Sequence, residues 1–345
     1  MELSKSDTKM TKGLAILFMV LLHLFARKTN LPYECIKLGN GVPLVYYFGL
    51  FGDCCVAIYC FCSGYAMQLI LEKAKSFKEY YKGRLKALLK FLTNYWIVLI
   101  LFVIVGLITG DSDVPGSFKS FVLNFFLLRS YNGAWWFVLI YVILVLLSGP
   151  IYSVIKKYNP IIINVLFIII YGLAYIQRMN VVINVGMVSV DSVLRILALL
   201  GTSILPFVWG MYFYKYKLFT KIRLYLNKHI GNNLLVVISI LALFMMIIAH
   251  GIVQSLIVAP FTGLITIVLF NAVKKAEWID KIFLFFGEHS TNIWLTHMFF
   301  YAVIFKNLVF SVKYPLLILL FMLAITIGVS YVINLIYKPL CKLIK

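Results

Sequence analysis

Long runs of apolar residues, separated by short polar segments, dominate this chain of 345 residues. The runs do not alternate between apolar and polar positions, which favours transmembrane helices over the strands of a membrane barrel. A helix needs about 20 residues to cross a bilayer, and ten runs come close to that length. The predicted spans lie near 13–27, 43–70, 89–109, 134–155, 160–177, 196–214, 232–250, 252–273, 288–305 and 314–337. We therefore predict an all-α fold: a polytopic membrane helix bundle that forms a single domain over residues 1–345.

Composition and charge support the same class. The chain is 63% hydrophobic and 13% charged, more apolar than a soluble domain of this size could bury. The net charge of +20 alone would suggest nucleic acid, but its distribution argues against such a partner. Of the 32 Lys and Arg residues, 23 fall on the side of the predicted termini and 9 on the other side. The positive-inside rule then predicts that both termini are cytoplasmic.

Lys12 and His23 are the most informative pair in the first span. Eleven residues at roughly 100° each bring both side chains to one helix face, with a rise of about 16 Å. Lys12 then lies at the cytoplasmic mouth and His23 deep in the membrane, where an ionisable group indicates function. Lys12 also has an ordinary explanation, as a positive-inside anchor.

A second intramembrane histidine, His297, is predicted in the ninth span. Ser290, Trp294, His297 and Tyr301 are spaced by four, three and four residues, so they form one stripe on a helix. Such a stripe faces either a cavity or a neighbouring helix, and an interhelical hydrogen bond is the plainer interpretation of a lone histidine. The remaining histidines, His229, His250 and His289, are expected at interfaces or in loops.

Two basic segments fall on the predicted cytoplasmic side, at residues 73–90 and 215–228. Lys82, Arg84 and Lys86 lie in the first. Topology and attraction to anionic lipids explain such segments. An equally open interpretation is a funnel for an anionic cytosolic ligand, such as the phosphates of a nucleotide or coenzyme A.

Two further motifs and the cysteines have simple packing explanations. Ser63-Gly64 in the second span permits close approach of helices, and Trp135-Trp136-Phe137 could form an aromatic belt. Four of the six cysteines crowd the second span without the spacing of a metal site, so we expect neither a metal nor a structural disulfide there.

Together these pieces resemble the acyltransferase-3 family of integral membrane O-acyltransferases. Lys12 and His23 resemble the family's Arg/Lys-x10-His signature, and Phe61 to Tyr65 resembles its Phe-x-x-Ser-Gly-Phe/Tyr segment. Trp136-Phe137-Val138 is similar to its Trp-Phe-Leu segment. Residues 290–297 resemble its Ser-x-x-Ile-Tyr-x-x-His pattern, with Trp294 in place of the usual tyrosine. The likeness covers almost the whole chain. It departs at the family's Arg-x-x-Arg-Pro, where Lys86 and Ala87 follow Arg84.

The resemblance implies an acyl donor, an acceptor and a set of roles. Acetyl-CoA would be the cytosolic donor, with its phosphates near Lys82, Arg84 and Lys86 and no metal required. The acceptor would be a hydroxyl of a cell-envelope glycan, such as a capsular polysaccharide, or of its lipid-linked precursor. The catalytic residues would be His23, Lys12 and His297, with His23 as general base or as a covalent acyl carrier. Substrate-binding residues follow from the other motifs: Ser63, Tyr65, Trp136, Ser290 and Trp294.

The same resemblance implies a multi-pass protein of the bacterial plasma membrane. A rival hypothesis is a polytopic transporter or flippase that moves an envelope glycan precursor without altering it. Its buried histidines would then relay protons or bind substrate. We find no internal repeat and no intramembrane carboxylate pair in the sequence, which weakly disfavours this rival.

Overall fold

The computed structural model describes residues 2–344 as a bundle of α-helices, and within that range no β-strand forms. The helices are α1 (Lys5–Phe25), α2 (Leu44–Phe51), α3 (Cys55–Lys73), α4 (Phe77–Thr109), α5 (Phe118–Phe125), α6 (Trp136–Lys157), α7 (Pro160–Asn180), α8 (Val188–Lys215), α9 (Leu218–His229), α10 (Asn232–Ile252), α11 (Ser255–Ala272), α12 (Glu277–Met298), α13 (Lys306–Phe310) and α14 (Pro315–Leu343). A 3-10 turn at Gly52–Cys54 joins α2 to α3, and a π-helical turn at Phe299–Val303 follows α12.

Within the described range, nine helical segments are long and apolar enough to cross a membrane. They include the joined segment Leu44–Lys73 and every predicted span except the ninth. α12, which carries the ninth prediction, has 22 residues but contains charged groups at Glu277, Asp280, Lys281 and Glu288. The all-α polytopic bundle is thus confirmed, and α12 is the one helix carrying a predicted span that is not among these nine segments.

Several helices extend beyond the membrane spans predicted from the sequence. α1 begins at Lys5 rather than near 13, because Ser4 and Asp7 form a capping box that starts the helix in the polar N-terminal segment. α12 begins at Glu277 rather than near 288 and ends at Met298. Apolar periodicity marks only the part of a helix that is buried or in lipid, so polar first turns escape it.

Two glycines bring α1 and α12 into close contact. A side chain at Gly13 would overlap the backbone carbonyl of Phe283, and one at Gly287 would overlap the carbonyl of Lys9. The two helices run in the same direction, since Lys9 meets Glu288 near one end and His23 meets His297 near the other. A comparable contact forms where Gly64 of α3 lies against the Phe207 carbonyl of α8, which confirms the packing role predicted for Ser63-Gly64.

Candidate active site

His23 of α1 and His297 of α12 meet in the bundle although 274 residues separate them in the chain. The Nδ1 atom of His23 lies 2.7 Å from Nε2 of His297, and the two rings stack with centroids 4.8 Å apart. Tyr301, in the π-helical turn, places its ring 6.1 Å from each imidazole. The predicted stripe on α12 therefore continues through the turn and faces His23.

The hydrogen bonds of His297 fix the tautomers of both histidines. Its Nδ1 lies 2.8 Å from the carbonyl oxygen of Trp294 and 3.1 Å from that of Ile293. Carbonyl oxygens only accept, so Nδ1 of His297 carries the proton and Nε2 accepts from Nδ1–H of His23. The Nε2 atom of His23 is left with a free lone pair and has no hydrogen-bond partner among residues 2–344.

His23 lines a cavity of about 130 Å³, here called the histidine cavity. Its walls come from α1, the α2–α3 segment, α6, α7, α8, α11 and α12. The polar or aromatic members of this wall are His23, Asp53, Trp136, Phe137, Tyr171, Arg178, Thr202 and Trp294. A volume of this size holds a few water molecules or a small acyl group. The free Nε2 atom of a neutral imidazole thus belongs to a residue that borders this cavity.

A chain of hydrogen bonds ends on Asp53 at this cavity. Ser255 donates to Oδ2 of Asp53 over 2.8 Å, and Nδ1 of His250 lies 2.7 Å from the same serine oxygen. Nε2 of His250 lies 2.8 Å from the Thr262 hydroxyl. With Asp53 ionised, each donor in the chain points toward the carboxylate. His250 is therefore a buried residue in the last turn of α10 and does not lie in a loop.

Lys12 lines a second, smaller cavity of about 90 Å³, here called the lysine cavity. Its other walls include Tyr59, Ser63, Tyr141, Ser290 and Trp294. The Lys12 side chain is half-buried and forms no hydrogen bond or ion pair within residues 2–344. Its ammonium group is therefore available to a ligand, unlike that of Lys9 one turn away, which pairs with Glu288 at 2.8 Å.

Phe137 and Trp294 line both cavities and therefore stand between them. Their ring centroids lie 5.7 Å apart, and Nε1 of Trp294 donates to the Ala134 carbonyl over 3.1 Å. The lysine and histidine cavities thus follow one another along the face of α1 that the sequence predicted. Ile16 and Met19, between Lys12 and His23, are buried.

The three basic residues predicted to bind coenzyme A differ in their surroundings. Lys82 and Lys86 are exposed on α4, whereas Arg84 is half-buried, with its guanidinium 6.0 Å from the Tyr80 ring. Nε of Arg84 is buried and lacks a hydrogen-bond partner among the described residues. Among the three, only Arg84 is turned toward the bundle.

A family model described as an acyltransferase domain, of the acyltransferase-3 type, matches residues 9–335. The chain belongs to the acyltransferase-3 family. It is accordingly a multi-pass membrane acyltransferase. No curated protein matches the chain, and no solved structure matches it.

Not every residue of the acyltransferase-3 motifs reaches the two cavities. Ser63 and Ser290 line the lysine cavity, and Trp136 lines the histidine cavity. Tyr65 lies elsewhere: its hydroxyl donates to Glu2 over 2.7 Å and accepts from the backbone N–H of Leu3. The structure thus gives Tyr65 a contact with the N-terminal segment and no place in either cavity wall.

His289 was also expected at an interface or in a loop and is instead buried in α12. Its Nδ1 lies 2.8 Å from the hydroxyl of Ser330 in α14. Asn292 donates to the same hydroxyl over 2.9 Å and accepts from Asn94 of α4. These bonds hold three helices together, which is the ordinary structural use of a polar side chain in a membrane bundle.

Sequence reasoning missed Asp53 and Arg178, although one signal for Asp53 was present. Asp53 is the only acidic residue inside a predicted span apart from Glu288 at the entry of the ninth. An intramembrane carboxylate indicates function in the same way as an intramembrane histidine. Arg178 falls just beyond the predicted fifth span and carried no such signal.

All six cysteines are free thiols. Within residues 2–344, no three His, Cys, Asp or Glu side chains are grouped as metal ligands would be.

Proposed function

We propose that this protein transfers an acetyl group from cytosolic acetyl-CoA to a hydroxyl of a bacterial cell-envelope glycan, in the first place a capsular polysaccharide, or of its lipid-linked precursor. The observation that carries the proposal is the free Nε2 lone pair of His23 at the histidine cavity. A neutral imidazole held in one tautomer is the usual general base for removing a hydroxyl proton near neutral pH.

In the proposed reaction, His23 alone accepts the proton of the acceptor hydroxyl and returns it to the leaving thiolate. The acceptor hydroxyl gives its proton to Nε2 of His23 while its oxygen attacks the thioester carbonyl carbon. The C–S bond of the tetrahedral intermediate then breaks, and the thiolate of coenzyme A takes the proton back from His23. His297 keeps Nδ1–H of His23 hydrogen-bonded throughout and so favours the cation that forms.

The donor would enter along the face that joins the two cavities. The phosphates of coenzyme A would rest near Lys12 and Arg84, whose charged groups have no ion-pair partner among the described residues. The pantetheine arm would then extend through the lysine cavity toward Phe137 and Trp294. Lys12 and His23 are separated by about 16 Å along α1, so an extended arm is needed to bring the thioester to the imidazole.

Arg84 and Lys82 provide a matched pair for testing the donor site. We expect Arg84→Gln to raise the KM for acetyl-CoA about tenfold or more, because a lost charge-assisted hydrogen bond costs roughly 1.5–3 kcal/mol and 1.4 kcal/mol is a factor of ten. Lys82→Gln removes an exposed charge of the same helix and should change that KM less than about twofold. Equal effects of the two variants would show that the segment only attracts anions in general.

The function itself is tested with labelled acetyl-CoA. Membranes from cells that produce the protein, incubated with acetyl-CoA labelled in its acetyl group, should incorporate label into envelope glycan. Mild base, which cleaves esters, should release that label as acetate. Glycan that stays unlabelled while its export depends on the protein would favour the transporter hypothesis instead.

A further inference from the structure

A groove of about 690 Å³ lies beside the histidine cavity, between the end of α7 and the beginning of α8. We call it the arginine groove. Its charged or polar walls are Gln177, Arg178, Asp191, Ser192 and Arg195, and it shares Trp136 and Arg178 with the histidine cavity. The groove therefore adjoins the space beside His23, with Trp136 and Arg178 in both walls.

The two arginines of the groove lie where the topology predicts few positive charges. The charge distribution places the connection between α7 and α8 on the side opposite the termini. That side carries only 9 of the 32 Lys and Arg residues, and this connection holds two of them, both in the groove wall. Anchoring at the cytoplasmic surface does not explain these two charges, so they call for a different reason.

The other polar groups of the groove are already engaged. The Gln177 side chain donates to the Ile183 carbonyl and accepts from its N–H, and Oδ1 of Asp191 accepts from the N–H of Val185. Asp191 forms no ion pair with either arginine in the described chain. Two arginines against one aspartate leave the groove wall with a net positive charge, and neither guanidinium is held in an ion pair by another described residue.

Arg178 and Arg195 differ in how they are held. Arg178 donates to the Thr202 hydroxyl over 2.9 Å and lies 5.0 Å from the centroid of the Trp136 ring. Arg195 is exposed and has no hydrogen-bond or ion-pair partner among residues 2–344. One guanidinium is thus fixed at the cavity entrance, and the other is free to reach a ligand further out.

The connection between α7 and α8 exposes several apolar side chains. Val182, Ile183, Val185, Met187 and Val188 are all more than half exposed. In a membrane protein such side chains lie against lipid at the bilayer surface. The groove therefore opens at the membrane surface, where a glycan attached to that surface would pass.

We infer that the arginine groove binds the acceptor and selects an anionic glycan, one that carries carboxylate or phosphate groups. This inference rests on the proposed acyl transfer, because it assigns the groove to the acceptor, but binding to the groove can be tested without the reaction. Guanidinium groups bind both anions through paired hydrogen bonds, so either group would satisfy Arg178 and Arg195. The hydroxyl to be acylated would then enter the histidine cavity past Trp136.

The test uses the full-length protein in nanodiscs of a neutral lipid and three probes of equal length. The probes are oligomers of galacturonic acid, of glycerol phosphate and of glucose. We expect one or both charged oligomers to bind at least tenfold more tightly than the neutral one, with an affinity that falls as salt rises. The charged oligomer that binds better identifies the anion as carboxylate or phosphate.

Three variants decide whether the groove is responsible for the charge preference. Arg195→Gln should remove most of the preference for the charged oligomers, and Arg195→Lys should keep part of it. Arg129→Gln, which removes an exposed arginine of the connection between α4 and α6, should leave the preference unchanged. Binding without charge preference, or a preference that survives Arg195→Gln, would overturn the inference.

Two further outcomes distinguish this inference from the proposed reaction and from lipid binding in the groove. Binding needs no chemistry, so a charge preference in a protein that transfers no label would retain the groove and reject the proposed reaction. If phosphatidylglycerol added to the nanodisc binds at Arg195 and excludes every oligomer, the groove is a lipid site and the inference fails.

Discussion

We expect His23→Asn to lower acetyl transfer by a factor of about 10²–10⁴, the usual contribution of a general base. The asparagine amide replaces the N–H that His23 donates to His297 but supplies no basic nitrogen at Nε2. Packing against α12 is therefore largely kept while the proton acceptor is removed. The measurement is the initial rate of label transfer from acetyl-CoA, normalised to the amount of inserted protein.

His289→Asn is the matched control for this variant. It changes a second buried histidine that is hydrogen-bonded between helices, to Ser330, and that lies outside both cavities. We expect its transfer rate to stay within a few-fold of the wild type, with at most a small loss of stability. If His23→Asn retained wild-type rates, or if both variants lost activity equally, His23 would be a packing residue and the proposed mechanism would be wrong.

The pair of histidines shows how far the sequence could predict the site. Helical spacing placed Lys12 and His23 on one face, and it aligned Trp294 with His297 on another. Nothing in either pattern states that the two faces meet, because that depends on how α1 packs against α12. The close approach at Gly13 and Gly287 settles this, and glycines in apolar helices are too common to predict such a contact alone.

Other errors follow from the same helical geometry. Ser63 and Tyr65 are two residues apart, so they point about 200° away from each other and cannot both line one cavity. The same separation applies to Lys82 and Arg84, of which only Arg84 turns toward the bundle. A motif names neighbouring residues together, but a helix divides them between faces.

The positions of the two cavities and the groove indicate the sides from which the two substrates would reach His23. Lys12 and Arg84 border the side from which the donor would come, and Arg178 and Arg195 border the side from which the acceptor would come. His23 lies between these two groups of positive charge, and Asp53 lines the same cavity. The two substrates would therefore meet at one imidazole without either one crossing the bundle.

Lys12→Ala should lower kcat/KM for acetyl-CoA about tenfold or more, whereas Lys12→Arg should keep most of the activity. The reason is that Lys12 has no partner in the described chain, so its charge is available to the phosphates of the donor. Losing one charge-assisted contact of roughly 1.5–3 kcal/mol accounts for the expected drop. The measurement is the rate of label transfer over a range of acetyl-CoA concentrations.

Lys9→Ala separates a donor contact from a topological anchor. Lys9 and Lys12 contribute equally to the positive charge before the first span, so the anchor explanation predicts equal losses. Lys9 is already paired with Glu288, and both side chains are exposed, so its removal should cost little activity. A topology reporter fused to the C-terminus should show the same orientation in both variants. Two outcomes would show that Lys12 is only a topological anchor: equal activity of Lys12→Ala and Lys12→Arg, or equal losses in Lys9→Ala and Lys12→Ala. Both pairs of variants should differ in activity only if Lys12 contacts the donor.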